Sequence, residues 1–358
     1  MKRLILILLV VILTSCQLFL SPDPDSSPIG IFNAIWNDFN ESYPLFNHKG
    51  IDWDEQYRIF SLQIRQQVMN DSELFEVISN MLSVLNDRHV SLNTPSRSYV
   101  SGCHDFGEGD SFSVNVLREH YLKNSKLSSG GISYGTFKDN GSIGYIHIRS
   151  FAGSTTGLKV DDLAMEIGGI VNSLKHTDAL ILDIRNNYGG SPKSLEYIAS
   201  YFLSKKVNAG RSRTKNGPGR NDFSDWTTWA ISPSGGSYAL PIAKPIALLT
   251  NRHSVSASEW FSGALRTQDH VTHIGRPTGG GISTKIFRYL INGWSYSISI
   301  QDVTDMDGNR YEAKGPGEYG GIYPDFYIEN HSHDLWSEPS TDSQIEFAID
   351  YLLKKLAN

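Results

Sequence analysis

The sequence predicts an α/β fold preceded by a small helical domain. Three observations carry this. Residues 31 to 92 have apolar side chains at helical spacing, Ala179-Leu-Ile-Leu-Asp-Ile184 is a continuously apolar strand of the kind buried on both faces of a sheet, and strand and helix patterns alternate from Ile143 onwards. The chain has 358 residues, 39% of them hydrophobic and 20% charged, which is enough for two domains. Its net charge of −6, with no basic stripe, argues against a nucleic-acid partner.

The first segment is not expected to belong to the fold. Lys2-Arg3 precede the apolar run Leu4 to Leu13 and then Thr14-Ser15-Cys16, the pattern of a secretory signal. The run is shorter than the ~20 apolar residues of a membrane-spanning helix. Leu13-Thr14-Ser15-Cys16 also resembles the bacterial lipobox, so residues 1–16 are read as a lipoprotein signal with Cys16 as the lipidated residue and membrane anchor. That leaves Cys103 alone, hence no intramolecular disulfide. Residues 17–28, rich in Pro, Ser and Asp, read as a tether.

Residues 29–96 read as the helical domain. Phe32, Ile35, Trp36 and Phe39 share one face, as do Tyr57, Phe60, Ile64 and Val68, and Leu74, Phe75, Ile78, Leu82 and Leu85. Asp71 is expected to cap the third helix. Residues 97–140, including the alternating Phe112 to Leu117, read as β-rich connecting structure. Residues 141–358 are the α/β body. There Ser191-Pro192 should open a helix, Asn292-Gly293 a hairpin turn, and Ile345, Ile349, Leu352, Leu353 and Leu356 a terminal helix. The polar excursion from 205 to 240 is long enough to cover a site.

Thr250-Asn-Arg-His-Ser-Val-Ser-Ala-Ser-Glu-Trp260 carries the chemistry. An apolar strand stops at a polar turn and a helix follows, a geometry that lifts a serine from a sheet and aims amides at whatever it attacks. A Ser-rich helix cap would look the same locally. No metal-ligand motif or phosphate loop occurs, and no cofactor is implied.

Four landmarks in order are similar to the S41 serine peptidases, the group of tail-specific and tricorn core proteases. They are Leu85-Asn-Asp-Arg-His-Val90, Leu182-Asp-Ile-Arg-Asn-Asn-Tyr-Gly-Gly190, Ser254-Val-Ser-Ala-Ser-Glu259 and Gly321-Ile-Tyr-Pro-Asp325. The resemblance implies a crotonase-like catalytic domain, peptide or protein substrates and an acyl-enzyme mechanism. It places the nucleophile at Ser256 and leaves Ser254 and Ser258 to capping and packing. It also assigns the oxyanion hole to Gly189-Gly190, with the amide of Ala257. Asp183 and Arg185 read as a structural pair.

The base departs from the tail-specific pattern. The position 25 residues beyond Ser256, where those proteases have lysine, is Gly281. Lys285 lies nearby but outside the matched turn. His89 sits in a motif similar to the one that supplies the histidine of tricorn-like members, and imidazole can take and return a proton near neutrality. The third member is expected to be Glu318, six residues before Pro324, with Glu312 in Tyr311-Glu-Ala-Lys314 as its competitor. His253 and Glu259 are expected to be structural. The segment between Leu92 and Ile143 is too short for the PDZ module many tail-specific proteases carry. The expected activity is therefore that of an exported serine endopeptidase. A Ser-Lys protease using Lys285, and a non-catalytic ligand- or peptide-binding lipoprotein of the same fold, are the alternatives.

Overall fold

In a computed structural model, residues 25–65, 68–102, 109–152, 160–233, 244–315, 318–337 and 340–357 are described. The expected signal, Cys16, most of the tether and Cys103 lie outside them.

The N-terminal unit packs helices α1 (Pro28–Ser42), α2 (Phe46–Lys49), α3 (Trp53–Arg65) and α4 (Asp71–Ser83). Ser27 caps α1 and Pro28 takes its first position. The cap of α4 is Asn70 rather than Asp71: its side chain accepts from the Ser72 and Glu73 amides, and Glu73 returns a bond to the Asn70 amide. Helix α3 stops at Arg65, so Val68 leaves the apolar face and is 99% exposed. The unit does not close its core alone. After the turn at 86–90, strands β1 (Ser91–Asn93) and β2 (Ser98–Val100) join a four-stranded sheet with β11 (Lys285–Tyr289) and β12 (Ser295–Ser299), in the order β11-β12-β1-β2. Trp294, Tyr296 and Ile298 of that hairpin bury themselves among the helices.

The second unit is built on a seven-stranded sheet. Its strands are β3 (Leu122–Leu127), β4 (Ile132–Phe137), β5 (Ile143–Ile148), β6 (Ala179–Asp183), β9 (Ile246–Thr250), β10 (Val271–Gly275) and β14 (Phe326–Tyr327), in the order β14-β10-β9-β6-β5-β4-β3. β5, β6, β9, β10 and β14 run parallel, and β3 and β4 add an antiparallel edge. The connecting region thus contributes strands to the main sheet. Val114 to Tyr121 within it form not a strand but α5 (Val114–Val116) and a π-helical turn, started by the Ser113 side chain bonding the Val116 amide.

The apolar runs of β5, β6 and β9 are covered on both faces, as their continuity predicts. Ile146, Ile148, Leu180, Leu182, Ile246 and Leu248 meet α6 (Val160–Ser173), α7 (Pro192–Ser200) and α8 (Ala257–Leu265). Tyr145, Ile181, Ala247 and Leu249 meet Ile345, Ala348 and Leu352 of α10 (Ser343–Ala357), which follows the short α9 (Ser332–Leu335). Leu353 and Leu356 lie on the outer face of α10. Within the polar excursion, β7 (Val207–Thr214) and β8 (Thr227–Ile231) pair and join β13 (Gln301–Thr304) in a small three-stranded sheet beside α8.

Candidate active site

Strand β9 ends at Thr250, and the chain turns through Asn251 to Val255 before α8 begins at Ala257. The three serines separate by what their hydroxyls do. Ser254 Oγ donates to the Ile184 carbonyl at 2.8 Å and Ser258 Oγ to the Asn187 carbonyl at 2.7 Å, so both tie the turn to the end of β6. The Ser256 hydroxyl donates to no backbone carbonyl of the described residues and lines a cavity of about 480 Å³. Ser256 has φ 62° and ψ −121°, a backbone conformation an L-residue adopts only under constraint. Two bonds to its amide supply the constraint, one to the Gly281 carbonyl at 2.9 Å and one to Glu259 Oε2 at 3.3 Å.

Glu259 is a scaffold, as expected. Fully buried on α8, it accepts from Thr278 Oγ1 (2.7 Å), the Gly280 amide (2.9 Å) and the Gly281 amide (2.7 Å), fastening the glycine turn to the serine. Burial raises its carboxyl pKa, and these three donors together with the Ser256 amide oppose the rise. A Cβ added at Gly281 would come within 3.2 Å of Arg88 Cβ. The place where tail-specific proteases carry lysine therefore abuts the turn that bears His89.

The Gly189-Gly190 pair divides its work. The Gly189 amide already donates to Asn187 Oδ1 at 2.9 Å, so it is not an oxyanion donor. Its role is close approach: with φ 89°, a Cβ there would lie 2.7 Å from Ser256 Cβ and 2.9 Å from the Ala257 nitrogen. The amides of Gly190 and Ala257 donate to no described residue, and both residues line the cavity with Ser256. Two unengaged amides beside a serine, one at a helix N-terminus, can stabilise an oxyanion. Asp183 and Arg185 hold this turn from below. The buried guanidinium bonds Asp183 at 2.6 Å, Asp342 at 2.9 Å and Gln344 at 2.9 Å.

His89 lines the same cavity and is 5% exposed. Burial lowers its pKa, and so do the nearby Lys285 and Arg88 cations. Asp87 and the Ser283 backbone pull upward, and the balance is about 4. The ring is thus a neutral acceptor at neutral pH. Its Nδ1 is buried and has no hydrogen-bond partner among the described residues.

The two candidate glutamates part company here. The side chain of Glu318, the expected third member, is exposed, and its backbone engages the His89 turn, the carbonyl accepting from Asn86 Nδ2 at 3.1 Å. Glu312 is 4% exposed. Its Oε1 accepts from the Ile282 and Ser283 amides at 3.0 and 3.2 Å, while its Oε2 is buried without a partner among the described residues. His89 and Glu312 therefore meet the same residue, Ser283, and each keeps one unsatisfied polar atom. Burial and the Asp87 carboxylate push the Glu312 pKa well up, and Lys49 counters them.

Lys285 also lines the cavity from an exposed position at the start of β11, and partial desolvation lowers its pKa. His253 does not line it; its ring lies 5.9 Å from Tyr188. The remaining walls come from the polar excursion and from α7 and α8. Trp229 on β8 meets Trp260 on α8 edge-on at 4.7 Å, and Pro192, Leu195 and Ile282 add apolar surface. The sequence reading missed Asp87 and Tyr43. Asp87 is fully buried, accepts the His89 amide at 2.8 Å and receives the Tyr43 hydroxyl at 3.0 Å. An Asp two residues before a turn histidine is a readable local signal, whereas Tyr43 lies on a separate stretch of chain and gave none.

A crotonase-like α/β unit with a serine raised at a strand–helix turn, two unengaged amides and a buried imidazole defines the class as one built for acyl transfer. The chain belongs to peptidase family S41, whose signature spans residues 142–328; that of the tricorn protease C1 domain spans 24–83. It is 28% identical over 211 residues to a probable CtpA-like serine protease of Staphylococcus aureus (58% of this chain, 37% of that one). It is 26% identical over 174 residues to the carboxy-terminal processing protease CtpB of Bacillus subtilis (49% of this chain, 32% of that one). The chain thus spans about a third of the length of these curated relatives. Among solved structures it is similar to a candidate peptidase from Parabacteroides merdae, with TM-score 0.78 and 30% identity over 92% of this chain and 98% of that one. The tricorn protease shares the fold, with TM-score 0.56 and 16% identity over 93% of this chain and 37% of that one.

Proposed function

We propose that this protein is an exported, lipid-anchored serine endopeptidase in which Ser256, His89 and Glu312 form the relay. The observation that carries the reading is that His89 and Glu312 both engage the backbone of Ser283, beside the cavity that Ser256 lines, and each keeps a buried polar atom, Nδ1 and Oε2, without a partner among the described residues. Buried polar groups are almost always paired, so a donor and an acceptor left over on neighbouring segments favour a contact that forms when substrate binds.

In this mechanism Ser256 Oγ attacks the peptide carbonyl carbon while His89 Nε2 takes its proton. The carbonyl oxygen becomes an oxyanion held by the Gly190 and Ala257 amides, each such donor supplying about 3 kcal/mol. The C–N bond breaks as His89 returns the proton to the leaving amine, giving an acyl-enzyme and a new N-terminus. Water then attacks the ester, again with His89 as base, and Ser256 is regenerated. Glu312 holds the imidazole by Nδ1–H and supports its transient charge. The Trp229–Trp260 wall favours an apolar side chain next to the scissile bond. Substrates are peptides or proteins, and lipid on Cys16 would hold the enzyme at a membrane.

The test is labelling by a fluorophosphonate, read by intact mass, with wild type, S256A, H89A and E312Q. Labelling at Ser256 that falls in H89A and E312Q supports the relay. An unlabelled wild-type chain would favour a pure binding protein instead. A second reading, with Lys285 as base, is favoured by that side chain's place on the same cavity. It requires K285A to lose labelling and H89A to keep it.

A further inference from the structure

The relay places His89 and Glu312 on two separate segments, and a third segment joins them. Lys49, the last residue of α2, is 7% exposed, and its Nζ donates to the Asn86 carbonyl at 3.3 Å and the Ala313 carbonyl at 2.5 Å. Those carbonyls belong to the residue just before Asp87 and the residue just after Glu312. The neighbouring His48 Nε2 lies 3.3 Å from the Glu312 carbonyl, and Asn86 Nδ2 donates to the Gly315 carbonyl at 2.6 Å. The helical unit therefore grips the loop after the glycine turn and the histidine turn together.

From this geometry we infer that Lys49 is a positioning residue for the hydrolytic site, registering the His89 turn against the Glu312 loop and supplying the cation that lets Glu312 act as a carboxylate. The inference rests on the Ser256–His89–Glu312 reading. A neutral hydrogen-bond donor could bridge two carbonyls, so the charge has a separate purpose. Glu312 faces two other buried acids, Asp87 on the histidine turn and Glu259 on α8, and Lys49 is the cation that counters them. His89 for its part faces Asp87, Lys285 and Arg88. A lysine with two carbonyl acceptors has no freedom to follow substrate, which is what a registering contact needs.

The test uses the full chain and the rate of Ser256 labelling by a fluorophosphonate as a function of pH. In K49M, labelling should slow by about 10- to 100-fold, the order expected when a remote change misplaces a base by about 1 Å. The midpoint of its rise with pH should also move upward, because Glu312 must lose its proton without the neighbouring cation. K49R should keep most of the wild-type rate and midpoint. The double variant K49M/E312Q should be no slower than E312Q alone, because both changes act through one group. A K49M protein that labels at the wild-type rate and midpoint, with only a lower melting temperature, would make Lys49 purely structural and overturn the inference. Additive losses in the double variant would overturn it too. If K49M does not fold, K49R carries the test: a folded K49R as slow as E312Q overturns the inference. Failure of the underlying relay is visible separately, as E312Q labelled at the wild-type rate.

Discussion

The backbone at Ser256 offers a sharp test because strain and function would sit on one residue. With φ 62° and ψ −121°, Ser256 occupies a region where an L side chain is held at a cost of about 1–3 kcal/mol. Glycine escapes that cost but loses about 0.5–1 kcal/mol more chain entropy on folding than alanine does. The difference predicts that S256G is more stable than S256A by about 0.5–2 kcal/mol, the reverse of the usual order. Both variants should lose hydrolysis, since neither has a nucleophile. Alanine keeps the strain and removes only the hydroxyl, so the comparison isolates the backbone. Denaturant unfolding followed by tryptophan fluorescence and by circular dichroism would measure it, with equal slopes required before midpoints are compared. S256G less stable than S256A would mean that the turn is relaxed and that the bonds to Gly281 and Glu259 do not hold it against a preference. Hydrolysis surviving in either variant would remove Ser256 from the mechanism.

Further expectations follow from the same geometry. With His89 as a neutral base and Glu312 as its ionised partner, kcat/KM should fall on the acid side as either group takes up a proton; a fall at clearly alkaline pH would indicate Lys285. His89 should also link stability to pH. The unfolded chain binds this proton near pH 6.5 and the folded chain near 4, so stability is full above the first value and declines toward the second, which H89N should abolish in a pH series of unfolding midpoints. In R185M the buried Asp183 and Asp342 carboxylates lose their cation, and a loss of about 3–5 kcal/mol is expected in denaturant titrations; a loss under 1 kcal/mol would count against the ion network as the prop of the glycine turn. G190A should lose both activity and stability, since its Cβ would fall 2.1 Å from the Ala152 nitrogen at φ 145°; an active, stable G190A would contradict the packing.

Features written in short stretches of sequence were legible from it. Ser191-Pro192 opens α7, Asn292-Gly293 turns the β11–β12 hairpin, and the apolar run at 179–184 is a central strand, because caps, turns and strand continuity depend on neighbouring residues. The ordered landmarks likewise singled out Ser256 from its neighbours, and the hydroxyl bonds of Ser254 and Ser258 agree with the packing roles assigned to them.

Tertiary structure decided the rest. Spacing from Pro324 favoured Glu318, whose side chain is exposed, whereas Glu312 is buried; that difference arises in a loop that the Asn86 side chain holds from another unit. Val68 and Asp71 missed their expected roles by the few residues that separate a helix pattern from its true end. The hairpin at 285–299 completes the core of a helical unit that precedes it by some two hundred residues, and no local pattern encodes such a partnership. By itself the sequence determined the strand–helix turn that carries Ser256, the glycine pair beside it and the absence of lysine at 281. The fold decided which of the two acids is buried, since burial is a property of the surroundings that several distant segments create together.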